Sequence, residues 1–411
     1  MRNFGHNSRS FVQGLSWTVI LRFVVRGVAV VRSVALARLL DPAGFGVFGI
    51  AIMVLALLEL MTETGINIFF LQNRDKIDKY LNTAWVISII RGFSISILVL
   101  LITYPVTNFF NAPQARPLLY LMAIIPIIRG FLNPSTIKFQ RNLEFHREFI
   151  YRGTITVAET AAMIFFTWWL SNPIGLVLGL IAAGLTEVIM SYLLIKPWPR
   201  FKLNFSQAKD IVSSGKWVTG FIVLDYLFTQ SDNIVVGKLL GTASLGIYRM
   251  SYTLSTLPVT EISDVFYKVA FPTFSKMITE KKNLGKAIKT IVLTICILTT
   301  LGGVGIWFFA DYITFFLGAK WIDAIPVIKV LAFLGVVRSF SFSFNSVFMA
   351  FGKQKYVTMI LLVSVLGLLS TIVPLVMKFG LIGAGYSAII GAALSLPVAV
   401  ILFSRTLNGL R

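Results

Sequence analysis

Residues 17–40 read WTVILRFVVRGVAVVRSVALARLL. The run is apolar and long enough to cross a bilayer as a helix, since about 20 residues span the hydrocarbon core. Yet it holds Arg22, Arg26, Arg32 and Arg38. An arginine at the centre of a spanning helix costs roughly 2.5–3.5 kcal/mol on insertion scales, so several together must face a polar cavity or fixed partners. Arg91, Arg129 and Arg338 repeat the pattern at mid-span positions further along. The stretch therefore predicts a membrane protein with a positively charged pocket, and such a pocket takes an anion.

The composition agrees. Of 411 residues 56% are hydrophobic and 13% charged, with a mean hydropathy of +0.83. That is the make-up of an all-α polytopic membrane protein, not of a soluble enzyme. A net charge of +20 would suggest nucleic acid in a soluble chain. Here loops on one membrane side account for most of it, and no nucleic-acid partner is expected. Cys296 stands alone and permits no internal disulfide. The first apolar stretch is too long and too rich in arginine for a signal-peptide core, and is expected to stay as the first helix.

Working outward, about twelve apolar segments of spanning length can be drawn. They lie near 15–39, 45–71, 82–107, 115–137, 153–170, 174–195, 217–239, 245–273, 287–310, 325–351, 356–377 and 381–404. Glu159 interrupts the fifth, the weakest of the set. Loops on one side carry 23 lysines and arginines against 4 on the other. The positive-inside rule then puts both termini and the basic loops in the cytoplasm, and leaves every outer loop short.

Those short loops exclude several classes. A glycosyltransferase or ligase would normally carry an outer domain with acidic or histidine catalysts, and the longest outer loop, near 311–324, offers Asp311 and Asp323. His6 and His146 both fall on the basic-loop side. No Ser/His/Asp set, metal-ligand spacing or Gly-rich phosphate loop is present, so neither catalysis, a bound metal nor a cofactor is expected.

The halves repeat at an offset of 200 residues. ARLLDPAGFGVF (37–48) lies over GKLLGTASLGIY (237–248), and without a gap Trp17 lies over Trp217. A shift of six spans preserves orientation, so the repeats are parallel. They are expected to form two six-helix lobes around a central cavity, with substrate at their interface. The expected domains are an N-terminal lobe over 1–196, a linker over 197–216 and a C-terminal lobe over 217–411. In the linker Pro197 and Pro199 end the sixth span, Ser206 is placed to cap a short helix, and Phe201, Leu203, Phe205, Ile211 and Val212 alternate with basic residues as in a segment lying on the cytoplasmic membrane face.

ARLLDPAGFGVFGIAIMVLALLELMTETGINIFFLQ (37–72) resembles the Wzx-like polysaccharide-exporter flippases, whose superfamily also holds the multidrug exporters and the lipid II flippase. LDYLFTQSDNIVVGKLLGTASLGIYRMSYTLSTLPVTEISDVFYKVAFPTFSKM (224–277) resembles the C-terminal bundle of the same family. The likeness implies alternating access in the bacterial cytoplasmic (inner) membrane. It implies an undecaprenyl-pyrophosphate-linked oligosaccharide as substrate, moved from the cytoplasmic to the outer leaflet for O-antigen, exopolysaccharide or capsule synthesis. Membrane lipids, a polysaccharide polymerase and a chain-length regulator are the implied partners. A cation-coupled multidrug exporter of the same fold and a lipid II-type flippase stand as alternatives.

The residues suit that substrate. Arginine's planar fork matches phosphate oxygens and stays charged when buried. Arg22 and Arg26 share a helix face, with Arg32 offset by roughly 80°. With Arg91 and Arg129 at similar depth, and Arg338 beside the polar run SFSFSFNS (339–346), they are the candidate pyrophosphate ligands. Intramembrane carboxylates are candidates for coupling to H⁺ or Na⁺: Glu59 and Glu63 in span two, Asp225 and Asp232 seven apart in span seven, and Glu261 and Asp264 in span eight. Asp264 and Lys268 also have the spacing of a plain i,i+4 pair.

Overall fold

The computed structural model describes residues 24–62, 66, 69–70, 77–142, 144–211, 226, 229–279 and 284–408. These are helical apart from short turns, with no strand among them. They fall into two compact units, 1–227 and 228–411.

In unit 1, α1 (24–39) leads to α2 (Pro42–Met61), and Asp41 makes the joint. Its carboxylate accepts from the Gly44 amide at 2.8 Å, and Pro42 opens the helix where no amide donor is needed. The unit continues with α3 (Ile77–Phe109), α4 (Arg116–Met122), α5 (Ile124–Gly130), α6 (Ile137–Arg141), α7 (Phe145–Leu170) and α8 (Ile174–Leu194). The fourth expected span is thus two short helices meeting at Ala123, with Pro126 in the first turn of α5 and Pro134 opening a 3₁₀ turn. The fifth span is unbroken through Glu159, because that carboxylate has a partner, described below.

Glycines set the closest crossings. A Cβ on Gly92 of α3 would stand 2.3 Å from the Pro126 carbonyl oxygen, and one on Gly130 of α5 would stand 3.0 Å from the Ser88 carbonyl oxygen. Gly175 and Gly179 let α8 lie equally close to α7 at Thr167 and Met163. Small residues bring helices together where there is no hydrophobic force between apolar surfaces in lipid.

The expected linker packs on unit 1 as far as it is described. Residues 205–211 form helix α9. Its cap is Asn204, whose Oδ1 accepts from the amides of Ser206 and Gln207 at 3.0 and 3.2 Å. Ser206, the expected cap, sits inside the first turn instead. Asp210 accepts from the Tyr80 hydroxyl at 2.9 Å, and Gln207 from the Thr83 hydroxyl at 2.7 Å. Trp198, Phe201 and Phe205 remain exposed.

Unit 2 holds α10 (Ser231–Thr279), α11 (Leu284–Leu317), α12 (Ala324–Ala350) and α13 (Gln354–Asn408). Two of these are pairs of helices joined at a glycine in a backbone region that favours residues without a side chain: Gly241 at φ 83° and Gly380 at φ 60°. Gly380 falls in the gap between expected spans eleven and twelve. Hydroxyls tie the helices across apolar faces, with Ser255 donating to the Ile328 carbonyl at 3.1 Å and Thr299 meeting Ser339 at 2.7 Å. Among the described residues seven helices are long and apolar enough to cross a membrane, and the last, of 53 residues, is the one broken at Gly380.

Candidate functional site

Arg91 and Arg129 each precede one of the two glycines at the α3–α5 crossing. The close approach therefore brings both guanidiniums to one place, a cavity of about 300 Å³ within unit 1. Glu59 of α2, Glu187 of α8, Ser88 and Thr136 complete its polar lining. Arg91 donates from Nη2 to the Glu59 backbone carbonyl at 2.6 Å and from Nε to the Thr62 hydroxyl at 3.3 Å. It so caps the C-terminal end of α2, where carbonyls lack intrahelical donors and the helix dipole is negative.

Arg129 is held from two sides. Its Nη1 lies 3.0 Å from Glu59 Oε1, and its Nε lies 3.7 Å from Glu187 Oε2. The second distance is too long for a hydrogen bond, and Nε is buried without a hydrogen-bond partner. A second cavity of about 460 Å³ shares Arg129, Leu132, Thr136 and Glu187 with the first. Tyr151 and Arg152 of α7 form its other wall, toward the basic-loop end of the unit. The Tyr151 hydroxyl is also buried and without a hydrogen-bond partner. The two cavities thus meet at Arg129 and Glu187. A pair of guanidiniums in a cleft within the membrane-spanning unit suits a phosphate group, which each can grip through two parallel hydrogen bonds.

Other expected ligands lie elsewhere. Arg32 pairs with Glu159 across α1 and α7, Nη1 to Oε1, at 2.5 Å. Arg26 lies exposed on α1. Arg22, Glu63 and Asp225 lie outside the described residues, as do the side chains of Glu261 and Asp264. In unit 2, Asp232 is buried, accepting from the Tyr248 hydroxyl at 3.0 Å and from the Asn233 amide at 2.7 Å. Arg338 donates from Nη1 to the Tyr252 hydroxyl, and the Tyr248 and Tyr252 rings stand 6.3 Å apart. Asp232–Tyr248 and Arg338–Tyr252 are thus two hydrogen-bonded pairs set side by side by the ring contact, the first buried and the second half-buried. Among the described residues no cluster of three or more carboxylate, histidine or cysteine side chains is placed to hold a metal ion.

Glu187 went unread in the sequence, although a carboxylate well inside an apolar span is itself a signal of function. Tyr151 gave none, because an unpartnered hydroxyl is visible only after the helices are packed.

A family model described as "Polysaccharide biosynthesis protein" matches residues 35–326. The chain belongs to that family. It is 20% identical over 342 residues to the lipopolysaccharide biosynthesis protein WzxC of Escherichia coli K12, covering 82% of this chain and 70% of that protein. It is 22% identical over 356 residues to the teichuronic acid biosynthesis protein TuaB of Bacillus subtilis 168, covering 84% and 72%. Its fold matches the inward closed structure of the lipid II flippase MurJ with a TM-score of 0.75 at 17% identity, over 95% of this chain and 87% of that one.

Proposed function

We propose that this member of the polysaccharide biosynthesis family is a flippase for a lipid-linked oligosaccharide. Its substrate is an undecaprenyl-pyrophosphate-linked glycan destined for a surface polysaccharide. The protein sits in the bacterial inner membrane with both termini cytoplasmic, and moves the headgroup from the cytoplasmic to the outer leaflet by alternating access of two six-helix lobes. A polymerase and its chain-length regulator would take over the product.

The observation that carries this reading is the convergence of Arg91 and Arg129 on one cavity inside a membrane-spanning unit, in a chain of this family. A pyrophosphate brings about two negative charges and several acceptor oxygens, and two arginine forks answer both. Arg22, Arg26, Arg32 and Arg338 stand as further ligands met during the transport cycle. Asp232, buried beside Tyr248, is the leading carboxylate for coupling to a proton or sodium gradient. A cavity for organic cations would need carboxylates in excess, whereas among the described residues each carboxylate in the lining is matched by a guanidinium.

The test is reconstitution. Purified protein goes into liposomes with labelled undecaprenyl-pyrophosphate oligosaccharide in one leaflet, and headgroup exposure is followed with an impermeant glycosidase. Flipping by the wild type and its loss in Arg91→Ala and Arg129→Ala are expected. Gradient-driven efflux of organic cations without flipping of any lipid-linked glycan would move the protein to the multidrug class.

A further inference from the structure

The paired charges in the α3–α5 cavity bear on the unloaded carrier, an inference that rests on the flippase reading above. A carrier that delivers an anion must cross back without it. Bare guanidiniums in a membrane cavity are costly, and a charge left without its partner in a buried site is strongly destabilising. We infer that Glu59 and Glu187 are built-in stand-ins for the substrate's phosphates, holding Arg129 while the site is empty and yielding it to the incoming pyrophosphate.

Charge balance supports this. Among the described residues the ionisable groups lining the cavity are Glu59, Arg91, Arg129 and Glu187, two of each sign. Their formal charges cancel when no substrate is bound. Geometry supports it as well. The two carboxylates approach different edges of one guanidinium, at Nη1 and at Nε, as the two phosphoryl groups of a pyrophosphate would. The grip is also loose enough to exchange. Glu187 stands off at 3.7 Å, and the side chains of Arg129 and Glu187 are 40% and 26% exposed, so both border the cavity even though Arg129 Nε itself is buried.

Among the described residues the groups within electrostatic reach of Glu187 on neighbouring helices are Arg129, Arg152, Glu59, Glu159 and Tyr151. Arg152 already engages Glu148 at 2.8 Å, and Glu159 is taken by Arg32. Arg129 is thus the cation whose loss Glu187 would feel most. Glu187 acts on transport through Arg129, as a positioning residue that competes with substrate.

Net flipping and exchange separate this role from a structural one. Net flipping, with labelled undecaprenyl-pyrophosphate oligosaccharide in one leaflet and none in the other, requires the empty return. Exchange, with saturating unlabelled substrate in the opposite leaflet, does not. Glu187→Gln is expected to bind the lipid about five-fold more tightly and to slow net flipping about ten-fold, several-fold more than it slows exchange. Glu187→Asp is expected to restore net flipping. If Glu187→Gln loses both modes together, keeps both, or binds no more tightly, the inference is wrong. A wild-type protein that neither flips nor exchanges this lipid would instead sink the flippase reading on which it rests.

Discussion

Gly92 lies against Pro126 so closely that a Cβ built on it stands 2.3 Å from the Pro126 carbonyl oxygen. The obstacle is backbone, which a rotamer change cannot move aside. This contact sets the spacing of α3 and α5, and with it the distance between the arginines that precede Gly92 and Gly130.

Gly92→Ala is therefore expected to force the helices apart and to destabilise the protein by about 1–3 kcal/mol, the usual cost of overpacking. Gly153→Ala, where nothing lies within 4 Å of the added atom, is expected to be silent or slightly stabilising. Thermal melting of the two variants in detergent checks this, and an unshifted Gly92→Ala would mean that the crossing relaxes freely.

Arg91→Lys is expected to fail almost as badly as Arg91→Ala, with flipping down at least ten-fold in both. Arg91 spans the Glu59 carbonyl and the Thr62 hydroxyl with two nitrogens of one fork, and a single ammonium cannot hold both while facing a phosphate. Flipping rates at matched protein amounts in liposomes provide the measurement.

Arg32→Ala leaves the part-buried Glu159 carboxylate without its guanidinium, and should cost about 1–3 kcal/mol. Replacing both by apolar residues, Arg32→Met with Glu159→Leu, is expected to recover most of that loss. Melting temperatures across this double-mutant cycle test the pair, and flipping by the stable double variant tells whether Arg32 also meets the substrate. Retained flipping would remove it from the ligand set.

Tyr248→Phe deprives the buried Asp232 carboxylate of the hydroxyl donor at 3.0 Å. Hydrogen bonds to charged groups contribute about 1.5–3 kcal/mol, so a loss of that order is expected. Asp232→Asn, which keeps the shape and removes the charge, is expected to abolish any dependence of flipping on sodium or on a pH gradient. Flipping rates with and without each gradient decide the second point.

Much of this architecture was legible before any coordinates. Asp41 and Gly241, which lie over each other at the 200-residue offset, both break a helix. They do so by different chemistry, one through a side-chain cap and one through positive φ. The long spans were legible, since apolar length is a local property. Partnerships were not. Arg32 reads as a cavity ligand from its helix face beside Arg22 and Arg26, but Glu159 lies 127 residues away in sequence, and no local pattern joins them. Asn204 and Ser206 are both good caps two residues apart, and only the packed turn selects between them.

The balance of charge among the described lining residues has an electrical consequence. In the proposed cycle the return step moves no net charge through the membrane field, whereas the loaded step carries about two negative charges outward. In a cell whose interior is negative, each charge is worth about 2.3 kcal/mol per 100 mV, so roughly 4–5 kcal/mol per 100 mV favours export. The membrane voltage would then add to any ion gradient in driving export, and clamping liposomes at the opposite polarity should slow it.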